Sequence, residues 1–100
     1  MKGIIYCFKC LNSNLIYIGS TKQSIATRKA KHIYDSKHLK RSKPVHKIIL
    51  DNGGFDNFQM KVLKEVDDIK LLHLMEIKII QDYKNNINYK LMNTHQYNVF

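Results

Sequence analysis

The stretch "IYIGSTKQSIATRKAKH", residues Ile16–His32, changes character halfway along. It opens as a short β-branched and aromatic run, breaks at Gly19, and passes through Ser20 and Thr21. It then continues as a basic segment with helical spacing. Arg28 and His32, four residues apart, fall on one side of that helix. The spacing predicts a strand over Leu15–Gly19 and a helix capped by Ser20 or Thr21 and running to about Lys37. Ala26, Ala30 and Ile33 are its expected packing stripe.

Upstream, Ile4, Tyr6 and Phe8 alternate with Ile5 and Cys7, which is strand periodicity over residues 3–9. "LNSN" (Leu11–Asn14) is turn chemistry, so the two strands read as a hairpin. A two-residue loop within Leu11–Ser13 gives an odd pairing sum and sets Tyr6 and Tyr17 on the same face; a three-residue loop does not. Downstream, Ser42 and Pro44 open a short helix with Val45, Ile48 and Ile49 inward, closed by "NGG". "FQMKVLKEV" (Phe58–Val66) alternates as a third strand. Asp67 or Asp68 then caps a long helix to about Tyr83, and the tail from Lys84 reads as irregular or as one short further element. The whole predicts a single domain over residues 1–100, without internal repeats.

The 100 residues carry 17 basic and 8 acidic side chains, a formal charge of +9, with 44% hydrophobic residues. That balance supports one core and suits a polyanionic partner, with nucleic acid the first candidate. A membrane surface fits less well, because no basic amphipathic helix with a Trp/Phe/Leu face is present. No apolar run approaches a membrane span, and the amino terminus lacks a signal-peptide h-region. The expected location is therefore intracellular and soluble, in cytoplasm or nucleus, wherever the target DNA lies. Cys7 and Cys10 form one C-x-x-C without the further ligands that a zinc site needs, and are read as reduced thiols on opposite faces of a strand. Fifteen of the 17 basic residues are Lys. Against that background an Arg at a particular place carries more information.

Projected at 100° per residue, the last helix groups Ile69, Leu72, His73, Ile79, Ile80 and Tyr83, with Glu76 near their middle. A carboxylate left buried and unpaired there costs several kcal/mol or protonates. It calls for an Arg partner, a set of hydrogen bonds or a metal ion; the plainer alternative is an edge position that reaches solvent or a Lys. Two tyrosines, an Arg, a His and a carboxylate meeting above one sheet would form a phosphodiesterase set. The cation offsets charge developing on phosphate, Arg28 grips phosphate through its planar fork, and Tyr or His handles the attacking water.

"GIIY" (Gly3–Tyr6) followed by "YIG" (Tyr17–Gly19) resembles the paired signature of GIY-YIG endonucleases. Arg28 in the next helix, His32 four residues on and Glu76 in a later helix match further family positions, from Gly3 to about Asn93. The resemblance implies an α/β (α+β) domain with a small three-stranded, mostly antiparallel sheet flanked by helices. It also implies Mg²⁺- or Mn²⁺-dependent hydrolysis of DNA phosphodiester bonds in repair, recombination or mobile-element processing. In family terms Tyr17 is the base or positions the water, helped by His32, and Tyr6 hydrogen-bonds within the site. Arg28 binds the scissile phosphate and Glu76 holds the metal. A late Asn supports the site, with Asn93 the best match and Asn88 and Asn98 competing.

Each of these residues also has a plainer reading. The tyrosines would be cross-strand packing, Gly3 and Gly19 would serve tight backbone geometry, and all five histidines would lie on the surface. Lys22, Lys37, Lys40, Arg41, Lys43 and Lys47 are either a solvated face or a track along the DNA backbone. A basic module that binds nucleic acid without cutting is the alternative function; the complete catalytic set argues for the enzyme. With no appended domain expected, specificity would come from DNA structure, a protein partner or a homodimer.

Overall fold

The computed structural model describes residues 2–38 and 44–93. Strand β1 (Gly3–Cys10) pairs antiparallel with β2 (Leu15–Thr21), and β3 (Phe58–Val66) pairs antiparallel with the other side of β1. Helices α1 (Ile25–Ser36) and α2 (Pro44–Asp51) lie between β2 and β3 in sequence. After β3, Asp68 caps a 3-10 turn at Ile69–Leu71 by accepting from the Lys70 amide, and α3 (Leu72–Lys84) follows. A two-residue strand β4 (Lys90–Leu91) completes the order β3-β1-β2-β4. The expected three strands are therefore joined by a fourth, which pairs parallel with Leu15 and Ile16 of β2. Two residues flanked by Asn-rich sequence show no periodicity of their own, and tertiary pairing alone defines them.

The hairpin register is Phe8↔Tyr17 and Tyr6↔Gly19. Both pairs sum to an odd number, so Tyr6 and Tyr17 share a face, as the loop-length reasoning required. Alternation divides the core in two. Tyr6, Phe8, Cys10 and Tyr17 pack with Val45, Ile49 and Phe58 beneath α1 and α2. Ile5, Cys7, Ile16 and Ile18 pack with Leu72 and Ile80 of α3 on the opposite face. The two cysteines are free, buried and on opposite faces, as expected. The β1–β3 register shifts between Ile5 and Tyr6, a bulge-like irregularity beside the first tyrosine.

Three helical expectations change. β2 runs on to Thr21, so α1 starts later and is capped by Ser24, whose side chain accepts from the Thr27 amide. Ala26 and Ala30 are exposed, and the inward line is instead Ile25, Arg28, His32 and Asp35–Ser36. Those offsets trace one helical face, but its buried surface is polar because α1 covers a cluster of polar groups rather than an oily core. On α3 the buried positions are Leu72, Glu76 and Ile80, while His73 stands exposed. On α2, Val45, His46 and Ile49 are buried. That overturns the surface reading of His46, which is 0% exposed. "NGG" ends α2 as expected, with Gly53 and Gly54 at φ of 102° and 80°, where side chains are strained. The expected Ser42 cap lies outside the described residues.

Candidate active site

The site is organised around the end of β2. Gly19 lies opposite Tyr6, and a Cβ at Gly19 would come within 2.5 Å of the Tyr6 ring tip and hydroxyl. Only a bare backbone lets the phenol lie across β2. Its ring, fully buried, meets Phe8 edge-on at 5.9 Å and His32 at 5.9 Å. The hydroxyl lies 2.7 Å from His32 Nε2 and accepts from Arg28 Nε at 3.2 Å. His32 Nδ1 lies 2.9 Å from His46 Nε2. These groups form one chain. Arg28 donates to the Tyr6 oxygen, and an assignment in which Tyr6 donates to His32 Nε2 and His32 Nδ1–H donates to His46 Nε2 satisfies each contact.

Burial pushes the Tyr6 phenol above its ordinary value of 10.0, against the pull of the Arg28 guanidinium; the Glu76 carboxylate adds to the rise. Tyr6 is therefore a neutral donor, suited to holding its neighbours rather than to taking a proton at neutral pH. Tyr17 is 6% exposed on the same face, with its ring 6.1 Å from that of His32.

Glu76 reaches this region from the other side of the sheet. α3 packs beneath the Ile5–Ile18 face, and Ser20, one residue past Gly19, points the same way and donates its hydroxyl to Glu76 Oε1 at 2.7 Å. The carboxylate is 8% exposed, with His73 Nδ1 3.8 Å from Oε1. Residual exposure and one strong donor offset part of the cost posed by its position on the apolar stripe. The tyrosine set and the carboxylate thus lie on opposite faces of β2 and are not stacked above one face. They are close enough for the Glu76 charge to raise the Tyr6 pKa.

β4 pairs with β2 only at Leu15 and Ile16, and Asn93 continues that edge in side-chain form. Its Oδ1 accepts from the Ile18 amide at 3.0 Å and its Nδ2 donates to the Ile18 carbonyl at 2.7 Å. This mimics a strand partner and fixes the backbone between Tyr17 and Gly19. Asn88 is exposed, and its amide bonds Asn86 Oδ1. Asn98 lies outside the described residues. Of the basic residues, Lys22, Lys37 and Lys47 are exposed, while Lys40, Arg41 and Lys43 lie outside the described residues.

Sequence reasoning missed two groups that touch the set. The sequence pattern offers Ser20 or Thr21 as a helix cap, but β2 extends through both and aims Ser20 at α3. His46 lies three residues before Ile49 on the buried face of α2, the same signal that singled out Glu76. Among the described residues no three His, Cys, Asp or Glu side chains gather as a ready metal cage, and no helix is long and apolar enough to cross a membrane.

Comparison with known proteins agrees with this fold. The family model of the GIY-YIG catalytic domain matches residues 2–90. The MSV199 domain-containing protein 146R of Invertebrate iridescent virus 6 is 40% identical over 96 residues; the match covers 92% of this chain and 38% of that protein. Among solved structures, a mutant catalytic domain of the intron endonuclease I-TevI superposes with a TM-score of 0.71 at 22% identity. That match covers 97% of this chain and 99% of the other, and it carries the likeness of fold. With the family model spanning nearly all of β1 to β4, the chain belongs to the GIY-YIG family and carries its nuclease-type catalytic domain.

Proposed function

We propose that the chain is a divalent-metal-dependent DNA endonuclease whose site is formed by Tyr6, Tyr17, Arg28, His32 and Glu76, with Asn93 as a backbone support. The observation that carries the reading is the buried chain Arg28–Tyr6–His32–His46, set across β2 from a half-compensated carboxylate. A fold has no packing reason to bury so many polar groups at one strand end, since each needs a partner to avoid a cost of about 1–3 kcal/mol.

The donor set suits a hard cation. A single carboxylate would hold Mg²⁺ or Mn²⁺ while waters and substrate phosphate complete its sphere, which is the usual economy of these ions. When bound, the ion supplies charge stabilisation at phosphate oxygens. The chain's own residues do the rest. Arg28 spends its Nε–H on Tyr6 and keeps its terminal N–H groups for a phosphate oxygen pair. Tyr6 and His32 hold Arg28 in that pose. Tyr17, on the same face, is the group that orients or deprotonates the attacking water. Ser20 turns Glu76.

Lys22, Lys37 and Lys47, with Lys40, Arg41 and Lys43, would track the DNA backbone without reading sequence. Incubating supercoiled plasmid and branched duplexes with the chain in Mg²⁺, Mn²⁺ or EDTA tests the reading. Nicked or linear products that need the cation are expected. Binding that weakens with salt but never yields cut DNA would favour a binding module instead.

A further inference from the structure

Glu76 has a neighbour that the catalytic set leaves unused. His73, one helical turn earlier on α3, holds Nδ1 3.8 Å from Glu76 Oε1, with its side chain 62% exposed and that of Glu76 10% exposed. The pair places one oxygen and one nitrogen donor side by side at the rim of a buried carboxylate. Two donors on a common cation, at bond lengths of about 2.1 Å, lie roughly 3.0–3.4 Å apart. The imidazole therefore needs to close by less than about an ångström.

We propose that His73 and Glu76 together form a two-donor cation site, in which the imidazole tilts metal choice towards borderline ions such as Co²⁺ and Ni²⁺ and away from Mg²⁺. The inference rests on the nuclease reading for Glu76 as the metal-holding carboxylate, and goes beyond it in assigning a nitrogen ligand and an order of metal preference. Carboxylate and water are hard donors that suit Mg²⁺. Imidazole adds affinity along the series from Mn²⁺ to Ni²⁺ and little for Mg²⁺. Ser20 supports the pair by holding Oε1 with its hydroxyl, the kind of outer hydrogen bond that orients ligating carboxylates.

A competing description makes His73 a cation that merely ion-pairs with Glu76. It predicts the opposite sign: removing a positive group beside the carboxylate would strengthen binding of every divalent ion. Calorimetric titration of Ni²⁺ and Mg²⁺ into the tag-free chain and its His73→Ala and Glu76→Gln variants separates the two. His73 is exposed, so its loss leaves the fold intact, and thermal melts verify this. The expected result is a fall in Ni²⁺ affinity of about tenfold or more in His73→Ala, a comparable or larger fall in Glu76→Gln, and a Mg²⁺ change in His73→Ala within about twofold. Equal or tighter Ni²⁺ binding in His73→Ala overturns the inference. So does a Ni²⁺ loss in His73→Ala that Glu76→Gln does not share, since the ion then sits elsewhere. A chain that cuts DNA in Mg²⁺ but binds Ni²⁺ equally with and without His73 refutes this site alone. A chain that binds Ni²⁺ through the pair yet cuts no DNA under any metal refutes the nuclease reading and leaves the site standing.

Discussion

Gly19→Ala is the smallest change that should dismantle the site from within. The new methyl would lie 2.5 Å from both the ring tip and the hydroxyl of Tyr6, where ordinary carbon contacts are about 3.5–4.0 Å. Relief requires the phenol to move by roughly an ångström. Tyr6 is 0% exposed and enclosed by Phe8 and His32, so no empty space receives it. A shift of that size breaks the 2.7 Å contact with His32 and the 3.2 Å bond from Arg28. Overpacking costs about 1–3 kcal/mol and each of the two lost hydrogen bonds about 1 kcal/mol more, for a total near 3–5 kcal/mol. For a domain of this size that lowers the melting temperature by roughly 10 °C or more. Denaturant melts of Gly19→Ala, Tyr6→Phe and the double variant test the cause. Tyr6→Phe removes one of the two closest atoms, so the alanine should cost about 1 kcal/mol less in that background. A Gly19→Ala protein within about 0.5 kcal/mol of the parent, or strict additivity of the two changes, would refute the claim that Gly19 exists to admit the phenol.

Arg28→Lys keeps the charge but loses the planar fork that serves Tyr6 and phosphate at once, so cleavage should fall about tenfold or more, or 1.4 kcal/mol of transition-state stabilisation; a near-parental rate would return Arg28 to the solvated basic face. Because the folded pKa of Tyr6 is raised, the native state holds its proton more tightly than the unfolded chain. Its contribution is complete below the ordinary value of 10.0 and lost as pH rises through the higher folded value. Tyrosinate absorbance should then show a late-titrating component that shrinks by one phenol in Tyr6→Phe; an unchanged component in that variant would assign it elsewhere. His46→Leu strands the His32 Nδ1–H in the core and should destabilise by about 1–3 kcal/mol in thermal melts, whereas an unchanged melt would make the His46–His32 contact incidental.

Much of the architecture was legible because it rests on alternation. Ile5, Tyr6, Cys7 and Phe8 sort to two faces by parity, and the odd pairing sum of a two-residue loop places Tyr6 and Tyr17 together, as the register does. β3 was legible for the same reason. Glu76 stood out as a charge on an apolar stripe, and the helix buries it. The failures share a cause: they occur where the buried residues are polar and pair with one another. The inward face of α1 is Arg28, His32 and Asp35, so an apolar-stripe projection selected Ala26 and Ala30, which face solvent. The place of His46 on the buried face of α2 was a cue in the sequence, but its partner His32 is visible only once the two helices are placed together. The position of Glu76 across the sheet from Tyr6 likewise depends on α3 crossing beneath the hairpin, which no local pattern encodes.

Glu76→Gln puts the central claim to the most direct test. Glutamine preserves the shape and can still accept from Ser20, so the fold should hold within about 0.5 kcal/mol of the parent in metal-free melts. The same preparation, assayed on plasmid in Mg²⁺ and in Mn²⁺, should show no metal-dependent cutting where the parent chain cuts. A stably folded Glu76→Gln protein that still cleaves at the parental rate would contradict the account, because the carboxylate at the end of β2 would then be part of the scaffold and not of the chemistry.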